Sequence, residues 1–147
     1  MLYILSGYST VETNRSSPSM QSISLDGPRK ERILMVPEVE KTLYCSRMAS
    51  AVTLKTGHVL VTGGSGMGRD VFLLNGTDLN EGIRRRSLLV GRLGHASTVR
   101  MLRTEEVVLV AGGWSDERKP LNSVELFIVG HRHENCSLWL RRRNFGC

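Results

Sequence analysis

Apolar residues in this chain come in short runs and never as a helical stripe. Leu2-Tyr3-Ile4-Leu5, Val59-Leu60-Val61, Val71-Phe72-Leu73-Leu74, Val107-Val108-Leu109-Val110 and Val124-Glu125-Leu126-Phe127 are separated by segments that contain Gly, Asn or Asp. Runs of that length between turn residues predict β-strands. No window repeats its apolar positions with the 3.6-residue period of an amphipathic helix. Several runs are apolar on successive residues, Val107 to Ala111 most clearly. Because successive strand residues point to opposite faces, such a strand needs cover on both sides.

Comparing the chain with itself turns these runs into a repeat. His95-Ala96-Ser97-Thr98-Val99, a polar gap and Val107 to Ala111 lead into Gly112-Gly113-Trp114-Ser115. Met48-Ala49-Ser50-Ala51-Val52-Thr53-Leu54, the turn Lys55-Thr56-Gly57 and His58 to Thr62 lead into Gly63-Gly64-Ser65, so the glycine pairs lie 49 residues apart. A partial copy opens the chain, where Leu2 to Ser9 matches Val108 to Ser115 with only Gly7 of the pair kept. Ser123-Val124-Glu125-Leu126-Phe127 recurs loosely as Asp70 to Leu74 and as Ser22-Ile23-Ser24-Leu25. Leu140-Arg141-Arg142-Arg143 echoes Ile83-Arg84-Arg85-Arg86. Each unit is expected to form four short strands, giving boundaries at residues 1–46 (partial), 47–91 and 92–147. A small sheet with a doubly buried strand must pack on its neighbours, and a radial stack of such sheets meets that need.

These features resemble kelch repeats, whose spacing is about 50 residues. The resemblance implies an all-β fold of four-stranded antiparallel propeller blades, here an incomplete propeller. The family motif is carried by Arg92 and His95, Gly112 and Gly113, and Trp139 in the last unit. In the middle unit Arg47, Gly63 and Gly64 match, while Met48 or a neighbour takes the His position and Ile83 or a neighbour the Trp position. Paired glycines suit a tight turn with positive φ and a close backbone approach. Trp139 or Trp114 is expected to wedge between sheets and bury apolar area. The family's common use, protein interaction as scaffold or adaptor, is the function implied, with another protein as partner. Two units and part of a third fall short of a closed ring, and open apolar faces and strand edges invite self-association.

Composition narrows this picture modestly. In 147 residues, 40% are hydrophobic and 23% charged, which suits one globular core. No run approaches the roughly 18 apolar residues of a membrane-spanning helix, so no membrane insertion is expected. The N-terminus lacks a signal-peptide pattern, which favours the cytoplasm over secretion. Against that stand three Asn-x-Ser/Thr triplets, at Asn14, Asn75 and Asn135. Cys45, Cys136 and Cys147 form neither a disulfide framework nor a zinc pattern.

Charge supplies one candidate binding feature. The net charge is +6, and the triplets Arg84, Arg85, Arg86 and Arg141, Arg142, Arg143 fall at corresponding places in two units. Side by side they would form a stripe able to hold phosphate or carboxylate groups. The plainer expectation is a solvated outer strand whose charges block edge pairing. Nucleic acid is not expected as a partner, since no aromatic residues interleave the arginines. The enzymatic alternatives are a propeller oxidase, for which Tyr44-Cys45 lacks an accompanying ligand set, and a dinucleotide-dependent dehydrogenase. Thr62-Gly63-Gly64-Ser65-Gly66-Met67-Gly68 resembles the dinucleotide fingerprint, but that motif must open a helix, and here a strand run follows. His131 and His133 are a weak candidate metal pair. No catalytic residue, cofactor or metal is expected.

Overall fold

A computed structural model describes residues 2–8, 16–23, 31–35, 48–66, 68–75, 82–129 and 138–142. All regular structure among them is β-strand, arranged in three antiparallel sheets. The chain divides into two compact units, Met1–Arg47 and Met48–Cys147.

The first unit holds β1 (Leu2–Tyr8), β2 (Ser16–Ile23) and β3 (Glu31–Met35), paired in chain order. Its central strand begins earlier than the expected Ser22-Ile23-Ser24-Leu25 run, and Ser24 and Leu25 lie outside the described residues. The cause is local. Leu5 pairs with Met20 but Gly7 pairs with Ser17, so β2 carries one extra residue at Pro18-Ser19. A bulge is where a strand tolerates proline, which has no N–H for the ladder. The β3 ladder ends at Ser19, so Pro18 is asked for no bond there either.

The second unit holds two four-stranded meanders. The first comprises β4 (Ser50–Thr53), β5 (Val59–Thr62), β6 (Val71–Leu74) and β7 (Gly82–Arg84). The second comprises β8 (Ala96–Leu102), β9 (Glu105–Ala111), β10 (Val124–Val129) and β11 (Leu138–Arg142). Both β5 and β9 end at a glycine pair. All four residues of β5 are buried, as are Val107, Val108 and Val110 of β9, so these strands are covered on both faces. The core draws on both sheets, with Leu54, Leu60, Val71 and Leu88 meeting Val108, Val110 and Phe127. Burying each such side chain contributes roughly 1.5–3 kcal/mol.

Register fixes which residues correspond. Phe72 pairs with Val61 and Arg84, and Glu125 pairs with Val110 and Arg141. Val61 and Val110 each stand two residues before their glycine pair, so Phe72 corresponds to Glu125 and Arg84 to Arg141. Likewise Ser50 pairs with Thr62 and Ala96 with Ala111, which makes Ala49 the counterpart of His95 and Met48 that of Gly94. Met48 and Gly94 share a left-handed backbone, with φ of 61° and 62°. Arg47 lies outside the described residues.

Candidate functional site

Residues 92–95, which lead into β8, run between the two glycine pairs and bond to both. The Gly64 N–H donates to the Arg92 carbonyl at 2.9 Å, and Leu93 and Trp114 exchange two backbone bonds of 2.9 Å each. The approach leaves no room for side chains at two of the glycines. A Cβ on Gly63 would collide with the Arg92 carbonyl oxygen and stand 2.8 Å from His95 Cε1. One on Gly113 would stand 2.6 Å from the Leu93 oxygen. Both glycines also have positive φ.

Arg92 is fully buried. Its Nη2 donates to Glu125 Oε1 at 2.6 Å and to Ser123 Oγ at 3.2 Å, and its Nη1 donates to the carbonyls of Gly112 and Ser123 at 2.9 and 3.2 Å. Glu125, also fully buried, accepts the backbone N–H groups of Leu89 and Val90 at 2.7 and 3.0 Å. A buried ion pair is tolerable only when further hydrogen bonds satisfy its remaining lone pairs and protons, and these do so except at Arg92 Nε. Buried Glu106 on β9 adds a second clasp, accepting the Lys55 N–H at 2.7 Å.

His95 supplies a third. Its Nε2 lies 2.8 Å from Thr62 Oγ1, whose own hydroxyl reaches the Ser50 carbonyl at 3.3 Å. With Thr62 donating to Ser50, the imidazole carries its proton on Nε2, and the buried Nδ1 has no partner. Protonating Nδ1 would place a donor where no acceptor stands. Burial first, and the nearby Arg92 charge second, lower the His95 pKa from 6.5 to about 4. The imidazole is therefore neutral at physiological pH.

These groups are engaged with one another, whereas a neighbouring corner is open. Trp114 forms bridges with Leu93 and Pro120, yet it is 47% exposed. The expected wedge between sheets is thus corrected for Trp114. Its backbone is pinned at the mouth of the glycine turn, outside the core. Met48, 56% exposed, also approaches Gly94, whose added Cβ would meet Met48 Cε at 2.9 Å and Trp114 Cδ1 at 4.0 Å. A Trp and a Met exposed around one glycine, on a backbone held by cross-strand bonds, make a small rigid apolar surface.

The arginine triplets fall as follows. Arg84 ends β7, is largely exposed and forms an ion pair with Asp70. Arg85 donates its N–H to the Val71 carbonyl, and Arg86 is exposed. Arg141 and Arg142 lie on β11, in register with Glu125 and Val124. Their side chains, that of Trp139, and all of Arg143 lie outside the described residues. So do Tyr44, the three cysteines, His131, His133, Asn14 and Asn135. After the Gly63-Gly64 pair the chain enters β6, antiparallel to β5, so no helix opens at the fingerprint-like glycines. No group of three His, Cys, Asp or Glu able to hold a metal ion occurs among the described residues.

Sequence inspection singled out Arg92, His95 and the glycines, and set Met48 or a neighbour at the His position of the middle unit, but missed Glu125, Glu106 and Thr62. Glu125 did carry a signal, as a lone acid inside an apolar strand run. No family model matches this chain, and no curated protein does.

Proposed function

We propose that the chain is a segment of a kelch-type β-propeller that serves as a non-enzymatic protein-interaction module. The observation that carries this reading is the corner formed by Met48, Gly94 and Trp114. A Trp fixed by two β-bridges and still half exposed has no role in the core that its exposure would serve, whereas Trp is enriched at the centres of protein interfaces. The buried polar groups Arg92, Glu125 and His95 are held by intramolecular bonds and have no free face for a substrate. The doubly covered strands, the glycine-terminated β5 and β9 and the meander order favour blades of a propeller. A closed ring takes roughly four to eight blades, so further blades, from this chain's parent or from other copies, would complete it.

A photoreactive residue in place of Met48 tests the proposal in cell extract. A discrete crosslinked protein that disappears on Trp114→Ala, with the melting temperature unchanged, is the expected result. Crosslinks indifferent to Trp114→Ala would remove the corner as the contact. Saturable binding of a nicotinamide dinucleotide by the purified chain would replace the whole reading with an enzymatic one.

A further inference from the structure

The corresponding hairpins of the two four-stranded sheets end differently. In the β4–β5 hairpin the last pair is Thr53 with Val59, Leu54 is buried, and the turn closes through the Gly57 N–H to the Leu54 carbonyl at 2.9 Å. In the β8–β9 hairpin Arg100 takes the place of Leu54, and the ladder continues through Met101 with Glu106 and Leu102 with Glu105. This extension carries two apolar side chains into solvent, Met101 at 43% and Leu102 at 60% exposure. Beyond them the chain reverses at Arg103-Thr104, with Arg103 in the left-handed region at φ 57°.

Two features indicate what covers this tip. First, Met101 and Leu102 are successive residues of one strand, so they project from opposite faces of the hairpin. A flat protein surface covers one face of such a prong, whereas a fluid interface surrounds both. Second, Lys55, Arg100 and Arg103 are exposed around the tip, and of the hairpin's own carboxylates, Glu105 and Glu106, Glu105 alone is exposed. Glu106 is buried and committed to the Lys55 N–H. Exposed apolar side chains set among cations complement an anionic lipid surface, where the apolar groups enter the headgroup boundary and the cations meet phosphates and carboxylates. The tip stands at the far end of β9 from the Trp114 corner, roughly 20 Å away at 3.3 Å per residue.

We propose that the β8–β9 hairpin tip docks on anionic membranes, with Met101 and Leu102 entering the interface and Lys55, Arg100 and Arg103 at the headgroups. This is attachment to a bilayer surface, distinct from insertion across one, and it is independent of the protein-contact corner.

Flotation of the full chain with phosphatidylserine–phosphatidylcholine vesicles tests it. The chain is expected to float with these vesicles and not with pure phosphatidylcholine. Met101→Ser with Leu102→Ser should reduce partitioning about tenfold or more, at 0.8 kcal/mol per buried methylene. Arg100→Ser with Arg103→Ser should reduce it about fivefold per charge. Arg118→Asn with Lys119→Ser removes the same charge at the opposite end of β9 and should leave flotation within about twofold of wild type. All these side chains are exposed, so melting curves should coincide and verify folding. Absence of flotation overturns the proposal, as does equal loss in the two charge variants, which would mark nonspecific attraction. Tip-dependent binding of a polyglutamate peptide without vesicle binding would also overturn it, in favour of an acidic protein partner.

Discussion

The two four-stranded sheets of the second unit share strand order and register but hold together by different chemistry. Where the first sheet has Phe72, Ala49 and Met48, the last has Glu125, His95 and Gly94 at matching positions. The first sheet and the segment that leaves it contribute apolar surface, backbone N–H groups at Lys55, Leu89 and Val90, and the Thr62 hydroxyl. The last sheet and its lead-in contribute the charged and aromatic groups that grip them. One backbone plan thus accepts an oily side chain or a fully bonded carboxylate at the same point. What decides is whether a neighbouring segment brings donors to it.

The sharpest way to break this comparison is Glu125→Ala. It leaves the Arg92 charge and two amides buried without their acceptor, so a loss of about 3–5 kcal/mol is expected in denaturant unfolding. A loss below that of a routine surface substitution would show that the grip is ornamental. Next is Gly63→Ala, expected to cost about 3 kcal/mol because the positive φ is strained and the Arg92 carbonyl must move. Gly57→Ala, with similar φ and open space around it, should cost only about 1–2 kcal/mol. Equal losses would mean that the approach of residues 92–95 matters little.

Acid should weaken the grip through His95. The folded-state pKa of about 4 lies below the unfolded value of 6.5, so the unfolded chain binds the extra proton between them. The contribution is complete above pH 6.5 and is lost as pH falls toward and through 4, a decline on the order of 3 kcal/mol. His95→Gln should flatten that part of the pH–stability profile, and an unaltered slope would assign it to other groups. The smallest effect is expected from Met48→Gly, which gives the first sheet the residue found at Gly94. Relief of the left-handed strain offset by backbone entropy predicts a stabilisation below about 1 kcal/mol in thermal melts.

Much of this architecture was legible in the sequence. Strand runs such as Val59 to Val61 and Val107 to Val110 announce their burial on both faces, and glycine pairs mark where β5 and β9 stop. Local signals fail where partners are remote. Nothing adjacent to Glu125 reveals that Arg92, 33 positions earlier, lies beside it. Trp114 reads as core by size alone, but its exposure follows from the backbone bridges to Leu93 and Pro120. Similarly, the bulge at Pro18-Ser19 depends on the facing strand, which no pattern within β2 reveals. At the candidate site, the resemblance to a family pointed to Arg92 and His95, while the open corner emerged only from which side chains approach Gly94.

The clasps between the sheets also bear on how the molecule reaches and leaves its folded state. Hairpins such as β4–β5 and β8–β9 close over short loops and form early, while Lys55 and Glu106 are 51 positions apart and Leu89 and Glu125 are 36 apart. Long-range contacts of this kind pay their loop-closure entropy before they are rewarded, which places them late along the folding path. Interactions missing from the transition state leave the folding rate nearly untouched and act on the unfolding rate instead. The buried carboxylates of β9 and β10 therefore govern chiefly how long the sheets stay joined once they have met.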